Sequence, residues 1–484
     1  MSRLRSIVLA SCLLVPASSG AETRYRPVTL TSTFAAGTTN IQVPIEISFT
    51  TGLDPSGASL RFASVVGGAY DIPYYIERWN FGGTSLVWVK IASMPASSSK
   101  TIYMYYGNTS GGAPSDFAAT FPNAYQLAAG SVFLSGVQNF DWFRVGPGAT
   151  MFVNPGSPLF INARRVIIDG TIDASGKGYF PSGVDYDIGQ GPGGGGGGFQ
   201  GFGGAGGGGH GGVGGAGGSF FPAAGGPAYG SAATQDILMG SSGGNGDATS
   251  PGGSGGGAVS VATRLLTLTG ALVANGVSAP SNGTSTGGGG GSGGGILLRA
   301  YDMELSGVVS AKGGAGAPAG AAPGGGGAGG RIKRFHGNHA TNVATLNVSG
   351  GPGGDATAQA GNSGTDYGEL IAFAEVTATV GSEVLLGVEP STVWHVRVGS
   401  PLPNPARDGV TMSVELDRSS TCRVEIVDVQ GRCIRTLDVA LAPGAHEISW
   451  DLRDDHGQRV PVGVYLAHAA VVDRELTRRI VVMQ

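Results

Sequence analysis

The sequence predicts an all-β protein in three parts: an antiparallel β-sandwich, a central glycine-rich parallel β-helix or solenoid, and a small antiparallel β-sandwich. Three observations predict it. Runs with period-two alternation fill both ends of the chain. A short pattern recurs along the middle. Composition shifts where the parts meet: 91 of 484 residues are glycine, yet between Gly189 and Gly295 the charged residues are Asp236, Asp247 and Arg264 alone.

Residues 1–21 read as a secretory signal peptide. Arg3 and Arg5 precede an apolar core, and Ser19-Gly20-Ala21 places cleavage after Ala21. Leu9-Ala10-Ser11-Cys12 offers a rival lipoprotein box with lipidation at Cys12, but the apolar run continues past it to Val15. The expected location is therefore secreted or cell surface. A formal net charge of −4 with no basic run argues against nucleic acid or an anionic membrane as partner.

Residues 22–115 alternate in Asn40-Ile41-Gln42-Val43-Pro44-Ile45-Glu46-Ile47, in Leu86-Val87-Trp88-Val89-Lys90-Ile91 and in Thr101-Ile102-Tyr103-Met104-Tyr105-Tyr106. Turn clusters separate these runs, as in a sandwich. Trp88 is expected in its core. Trp79 and Tyr75 are the candidates for stacking on a sugar ring, which would make this domain lectin-like.

Residues 116–380 hold too little side-chain volume for an ordinary core. The repeat resolves part of the problem. Val166-Ile167-Ile168-Asp169-Gly170-Thr171-Ile172-Asp173-Ala174-Ser175-Gly176 recurs from Leu266 to Gly276 and from Met303 to Gly313, with a degenerate copy at Ala344 to Gly350. Each copy follows a short apolar strand. Alternating apolar positions turn one strand face inward, and the fixed glycine (Gly170, Gly270, Gly307) turns a corner. Units that cannot bury their own apolar face do so by stacking. The polyglycine tracts between copies are loops, either mobile or packed as extended glycine helices.

Residues 381–400 read as a linker. In 401–484 about a quarter of the residues are charged, with strands expected at 411–416, 422–429, 434–439, 446–450, 463–470 and 477–482. Of the cysteines, Cys422 and Cys433 remain after processing. In a hairpin closed by Gln430-Gly431, Cys422 faces Val439 and Cys433 faces Asp428, too far apart for a disulfide.

Formal motif matches lack context. No Gly-x-Gly-x-x-Gly copy stands between a strand and a helix, so no nucleotide is expected. Ser254 and Ser292 match a hydrolase nucleophile elbow but sit in polyglycine. Gly350-Gly351-Pro352-Gly353-Gly354-Asp355 resembles one calcium nonapeptide without tandem copies, and His336 and His339 lack further ligands. Asp169, Asp173, Asp185 and Asp187 are the carboxylates a polysaccharide-active β-helix enzyme would need, but the repeat explains the first two as outward polar positions, and no basic residue is placed to assist them. The expectation is no catalytic residue, no metal and no cofactor.

Gly52-Leu53-Asp54, Leu60-Arg61-Phe62, Ile72 to Trp79, Val87-Trp88-Val89-Lys90 and Ile102 to Asn108 resemble the bacterial DUF2341 family, over residues 24 to 112. That resemblance implies a concanavalin-like sandwich in extracellular proteins. Pro403-Asn404-Pro405, Ile426 to Arg432, Trp450-Asp451, Asp454, Gly457 and Val460 to Tyr465 resemble the FlgD-type Ig-like domain, and also the sorting domains of type IX secretion cargo. This implies an exported protein with a terminal sorting or attachment module. Trp450, Asp451, Asp454 and Gly457 are expected to hold a turn. The resulting expectation is a structural or adhesive surface protein whose partners are extracellular glycans, other surface proteins or, through the C-terminal domain, secretion machinery. The alternatives are a lectin using the first sandwich and, third, the polysaccharide-active enzyme.

Overall fold

In the first sandwich, the three alternating runs become strands Thr38–Ser48, Thr84–Met94 and Ser99–Tyr106. The computed structural model describes residues 24–50, 52–107, 115–281, 285–385, 397–416, 420–442, 444–471 and 474–484. The signal-peptide reading, with Ala21 and Cys12, lies outside these. One sheet runs in the order Val376–Val380, Arg24–Ser32, Ser99–Tyr106, Arg61–Ala63, and the other in the order Thr38–Ser48, Thr84–Met94, Tyr74–Arg78. Val28, Leu30, Ile102 and Met104 from one face meet Val43, Ile45, Val87 and Val89 from the other.

The sandwich is discontinuous in sequence. Strand Val376–Val380, beyond the coils, pairs antiparallel with Arg24–Ser32, and Val384–Leu385 continues along the same edge. The domain therefore reaches past residues 22–115, and the expected linker 381–400 begins with one of its strands. Val376-Thr377-Ala378-Thr379-Val380 alternates, and its pairing covers an otherwise open edge.

The middle is a stack of parallel coils whose strands turn corners, giving three strand faces. The long strands Leu159–Ile168, Ala258–Leu268 and Gly295–Leu305 each form two faces, the ladder breaking at Arg164, Arg264 and Tyr301. The third face stacks Thr171–Asp173, Ala271–Val273, Val308–Ser310 and Thr345–Asn347. Ala271, Val308 and Thr345 follow one another in register at 37-residue steps. The inward columns, such as Val166, Leu266 and Met303 or Ile172, Leu272 and Val309, form one continuous core.

The corner glycine works as expected. Thr269 and Gly270 both donate backbone N–H to Ile168 O, and Ser306 and Gly307 both donate to Leu268 O. A Cβ on Gly270 would lie 2.0 Å from Gly170 O, and one on Gly307 1.9 Å from Gly270 O. Only glycine permits that approach.

The polyglycine tracts take the second of the two forms left open: they pack as extended glycine helices. In 287–294, Gly287, Gly290 and Gly293 donate to Ala322, Gly325 and Ala328, while Gly291 and Gly294 donate to Val277 and Ala274, and Gly289 and Ser292 to Gly244 and Ser241. Every third residue faces the same neighbour, the repeat of a three-residue helix without internal hydrogen bonds. Backbone bonding between chains replaces side-chain packing.

The second compact unit, 387–484, is a sandwich of a sheet Arg397–Val398, Val410–Leu416, Gly444–Trp450 and a sheet Cys433–Leu441, Ser420–Asp428, Gly463–Val471, Arg474–Val482. Cys422 faces Val439 as expected, but a bulge after Ile426 puts Cys433 opposite Val427 rather than Asp428. Both thiols stay free, Cys422 buried and Cys433 exposed. The expected turn forms: Trp450 Nε1 donates to Arg453 O at 2.8 Å, Asp454 Oδ1 accepts from His456 and Gln458 N–H at 2.9 and 2.8 Å, and Gly457 has φ +77°.

Candidate functional site

The β-bend that breaks the ladder at position 164 and its counterparts also builds the junction between sandwich and coils. Arg164 makes a two-pronged pair with Glu375, at 2.5 and 3.1 Å, and reaches Gln42 O at 3.1 Å. Arg165 pairs with Glu77 at 2.6 Å, whose second oxygen accepts from Trp88 Nε1 at 2.6 Å. One coil on, Arg264 pairs with Asp302 and lies over the Tyr301 ring, 4.2 Å from its centroid. Carboxylates and guanidiniums thus neutralise each other in a partly buried setting, the arrangement that satisfies such charges.

A cleft of about 540 Å³ opens beside these pairs, lined by Glu46, Arg78, Arg264, Tyr301, Glu304 and His339 among others. Asp302 also accepts from Asn338 Nδ2 at 2.8 Å and from the His339 N–H at 3.2 Å. The cleft is polar and carries both signs of charge. Among the described residues no group of three or more His, Cys, Asp or Glu is placed to hold a metal.

Trp79 and Tyr75 are not brought together as one platform. Tyr75 meets Phe117, Trp142 and Phe121 edge-on, at 5.0, 5.8 and 6.2 Å, in a cluster that glues the sandwich to the first coils. Burial raises the pKa of its phenol. Trp79 is half-buried, donates Nε1–H to Pro55 O at 3.0 Å and packs on the sandwich core. Trp88 is fully buried, as expected.

The acids singled out in the repeat are engaged locally. Asp169 accepts from Arg144 at 2.7 Å and from Thr269 Oγ1 at 2.9 Å, so a basic residue does stand beside it, supplied by the preceding coil. Asp173 accepts from the Ser175 N–H at 2.8 Å. Asp355 accepts from the Thr357 N–H and hydroxyl at 2.7 and 2.8 Å, closing a turn. Ser292 is buried in the glycine bundle, its hydroxyl accepting from the Ser241 N–H and donating to Ser241 O.

Two features of the bundle escape the repeat. Phe199, Phe202, Phe220 and Phe221 are exposed at its turns; large apolar residues in a tract with no side-chain core to receive them were their signal in the sequence. His210 is buried within it, 1% exposed, with its ring stacked 4.7 Å from Tyr229. Nδ1 lies 2.8 Å from Gly293 O, and because a carbonyl only accepts, Nδ1 carries the proton of the neutral ring.

Burial, with Arg331 and Lys333 adding to it against Gly293 O and Asp236, pulls the His210 pKa down to about 4. The unfolded chain binds this proton first, near 6.5. The stabilising effect is therefore complete above that pH and is lost as pH falls from about 6.5 to about 4, a loss of about 3 kcal/mol. Melting curves between these limits are expected to slope less in His210→Gln, whatever that variant's absolute stability. Equal slopes in parent and variant would refute the assignment.

Comparison with known proteins locates two families within the chain. The family described as Domain of unknown function (DUF2341) matches residues 56–141, and the FlgD Ig-like domain matches residues 404–474. The first match runs through Asp141, into the opening coils. No curated protein matches. Among solved structures, dimeric latent PorU from Porphyromonas gingivalis is similar at 23% identity, over 23% of this chain and 11% of that one, with TM-score 0.17. PorZ, described as an essential bacterial surface component of the type-IX secretion system of the same organism, is similar at 29% identity, over 19% of this chain and 12% of that one, with TM-score 0.14. The chain thus spans only about a tenth of the length of either structure. On the family matches and the fold together, this is an all-β chain that carries a DUF2341 domain near its N-terminus and a FlgD Ig-like domain at its C-terminus.

Proposed function

We propose that the chain is an exported structural or adhesive surface protein. The parallel coils, tied at both ends to one sandwich, act as a rigid mount for the glycine-helix bundle, and the Ig-like domain acts as the sorting or attachment module. The observation that carries this reading is the bundle itself. A region whose N–H and C=O groups are paired between extended chains resists local opening, which suits a part exposed to proteases and shear. A non-catalytic role is supported by the engagement of Glu77, Asp169, Asp302 and Glu375 with Arg165, Arg144, Arg264 and Arg164.

Deleting 401–484 and fractionating the producing cells tests the role of the terminal module. The parent chain is expected at the surface or in the medium, and the truncated one is expected to be retained inside the envelope. Identical distributions would remove sorting and attachment from the proposal.

A further inference from the structure

The outer end of the glycine bundle carries an aromatic cluster that the fold does not need. Segments 250–257, 287–294 and 322–330 lead directly into the coil strands Ala258–Leu268, Gly295–Leu305 and Arg331–His336. Their opposite ends lie about 25 Å away, at roughly 3.1 Å per residue over eight residues. Gly204 donates to Gly218 O and Ala205 to Gly287 O, which places the turns at 199–203 and 218–222 at that far end.

These turns are built, not loose. Phe202 N–H donates to Phe199 O at 2.9 Å, Gly201 N–H to Thr286 Oγ1 at 2.8 Å, and Phe221 N–H to Phe202 O at 3.0 Å. The Phe199 ring lies 5.9 Å from Phe202 and 6.1 Å from Phe221. Yet these residues are 58% (Phe199), 53% (Phe202), 87% (Phe220) and 65% (Phe221) exposed. The contiguous apolar surface of Phe199, Phe202 and Phe221, with Phe220 beside it in the chain, marks an interaction site.

Charge narrows the partner. Residues 188–235 contain no Asp, Glu, Lys or Arg, and their one histidine is the buried His210. The carboxylates that neighbouring segments bring near this end, Asp247 and Asp355, accept from Thr249 and Thr357 within their own turns and, being acidic, attract neither a polyanion nor an anionic membrane. Beside the rings stand the exposed Gln200 amide and the partly exposed Ser219 hydroxyl. Flat apolar faces with neutral hydrogen-bonding groups complement the C–H faces and hydroxyls of uncharged sugar rings. Holding the turns on a hydrogen-bonded bundle lowers the ordering cost of binding.

We propose that Phe199, Phe202, Phe220 and Phe221 form a binding site for neutral glycan chains. This rests on the adhesive reading above and gives it a sugar-binding surface at the bundle tip. The test uses the purified full chain on an array of neutral oligosaccharides (cello-, manno- and xylo-series) and acidic ones (oligogalacturonate, heparin fragments), with phosphatidylcholine vesicles and sedimentation run alongside. Retention on neutral glycans, indifferent to added salt, is expected. It should weaken about tenfold or more in Phe220→Ala/Phe221→Ala and persist in Phe220→Tyr/Phe221→Tyr. The proposal is overturned by no neutral glycan being bound, by binding confined to acidic glycans and lost in salt, or by binding unaffected by the alanine pair. Aromatic-dependent binding seen only with vesicles, or only as self-association, overturns it too. Purified protein is independent of export, so failure here and failure of the fractionation test are separable.

Discussion

Gly327→Ala is expected to destabilise the glycine bundle by about 3 kcal/mol, whereas Gly320→Ala should be neutral or slightly stabilising. A Cβ on Gly327 would stand 2.1 Å from Gly291 O and 2.5 Å from its carbonyl carbon, both backbone atoms that cannot rotate away. To make room, 322–330 would have to leave 287–294, breaking the bonds at Gly287, Gly290 and Gly293 together. At Gly320 nothing lies within 4 Å of the added atom, and the backbone is not in the left-handed region. Hydrogen exchange of peptides covering 287–294 and 322–330 reads the difference directly. Equal protection in the two variants would mean that the tracts are not packed as described.

Deleting 376–385 is expected to open the first sandwich even though the deleted segment lies about 270 residues beyond its other strands. The deletion uncovers the edge of Arg24–Ser32 along seven paired positions and removes buried Val376 from the core. It also removes Glu383, whose carboxylate meets Arg24 at 3.0 Å and the Tyr106 hydroxyl at 2.6 Å. Glu375→Ala is the graded version. It leaves the partly buried Arg164 guanidinium without its carboxylate, for an expected loss of about 3 kcal/mol. Trp88 fluorescence and limited proteolysis should report loss of the sandwich in the deletion and a lowered melting point in the point variant. A deletion variant that melts like the parent would show that strand Val376–Val380 is dispensable.

Much of this was readable in advance because it is local. Period-two alternation in Leu86 to Ile91 or Thr411 to Leu416 survives in the fold because each strand buries one face. The coil register was readable from Gly170, Gly270 and Gly307, since each corner repeats the same crowding against the coil before it. Other features were not local. Val376–Val380 reads as one more short alternating run; that it closes a sandwich opened at Arg24 depends on where the coils return the chain. Asp169 looked unassisted because Arg144 lies 25 residues away in sequence but one coil away in space. Tyr75 looked available because sequence cannot show that Phe117 and Trp142 pack against it.

The glycine tracts mark the boundary most clearly. Composition established that they could not form a side-chain core, and the alternating runs and the repeat that the chain around them was all-β. Order or disorder was a tertiary matter. A three-residue glycine helix has no internal hydrogen bonds and no side-chain pattern, so nothing within a single tract distinguishes it from a mobile loop. Its stability comes from neighbours such as 241–244, 274–277 and 322–328 arriving at 287–294 from three other parts of the chain, and only the folded coils bring them there.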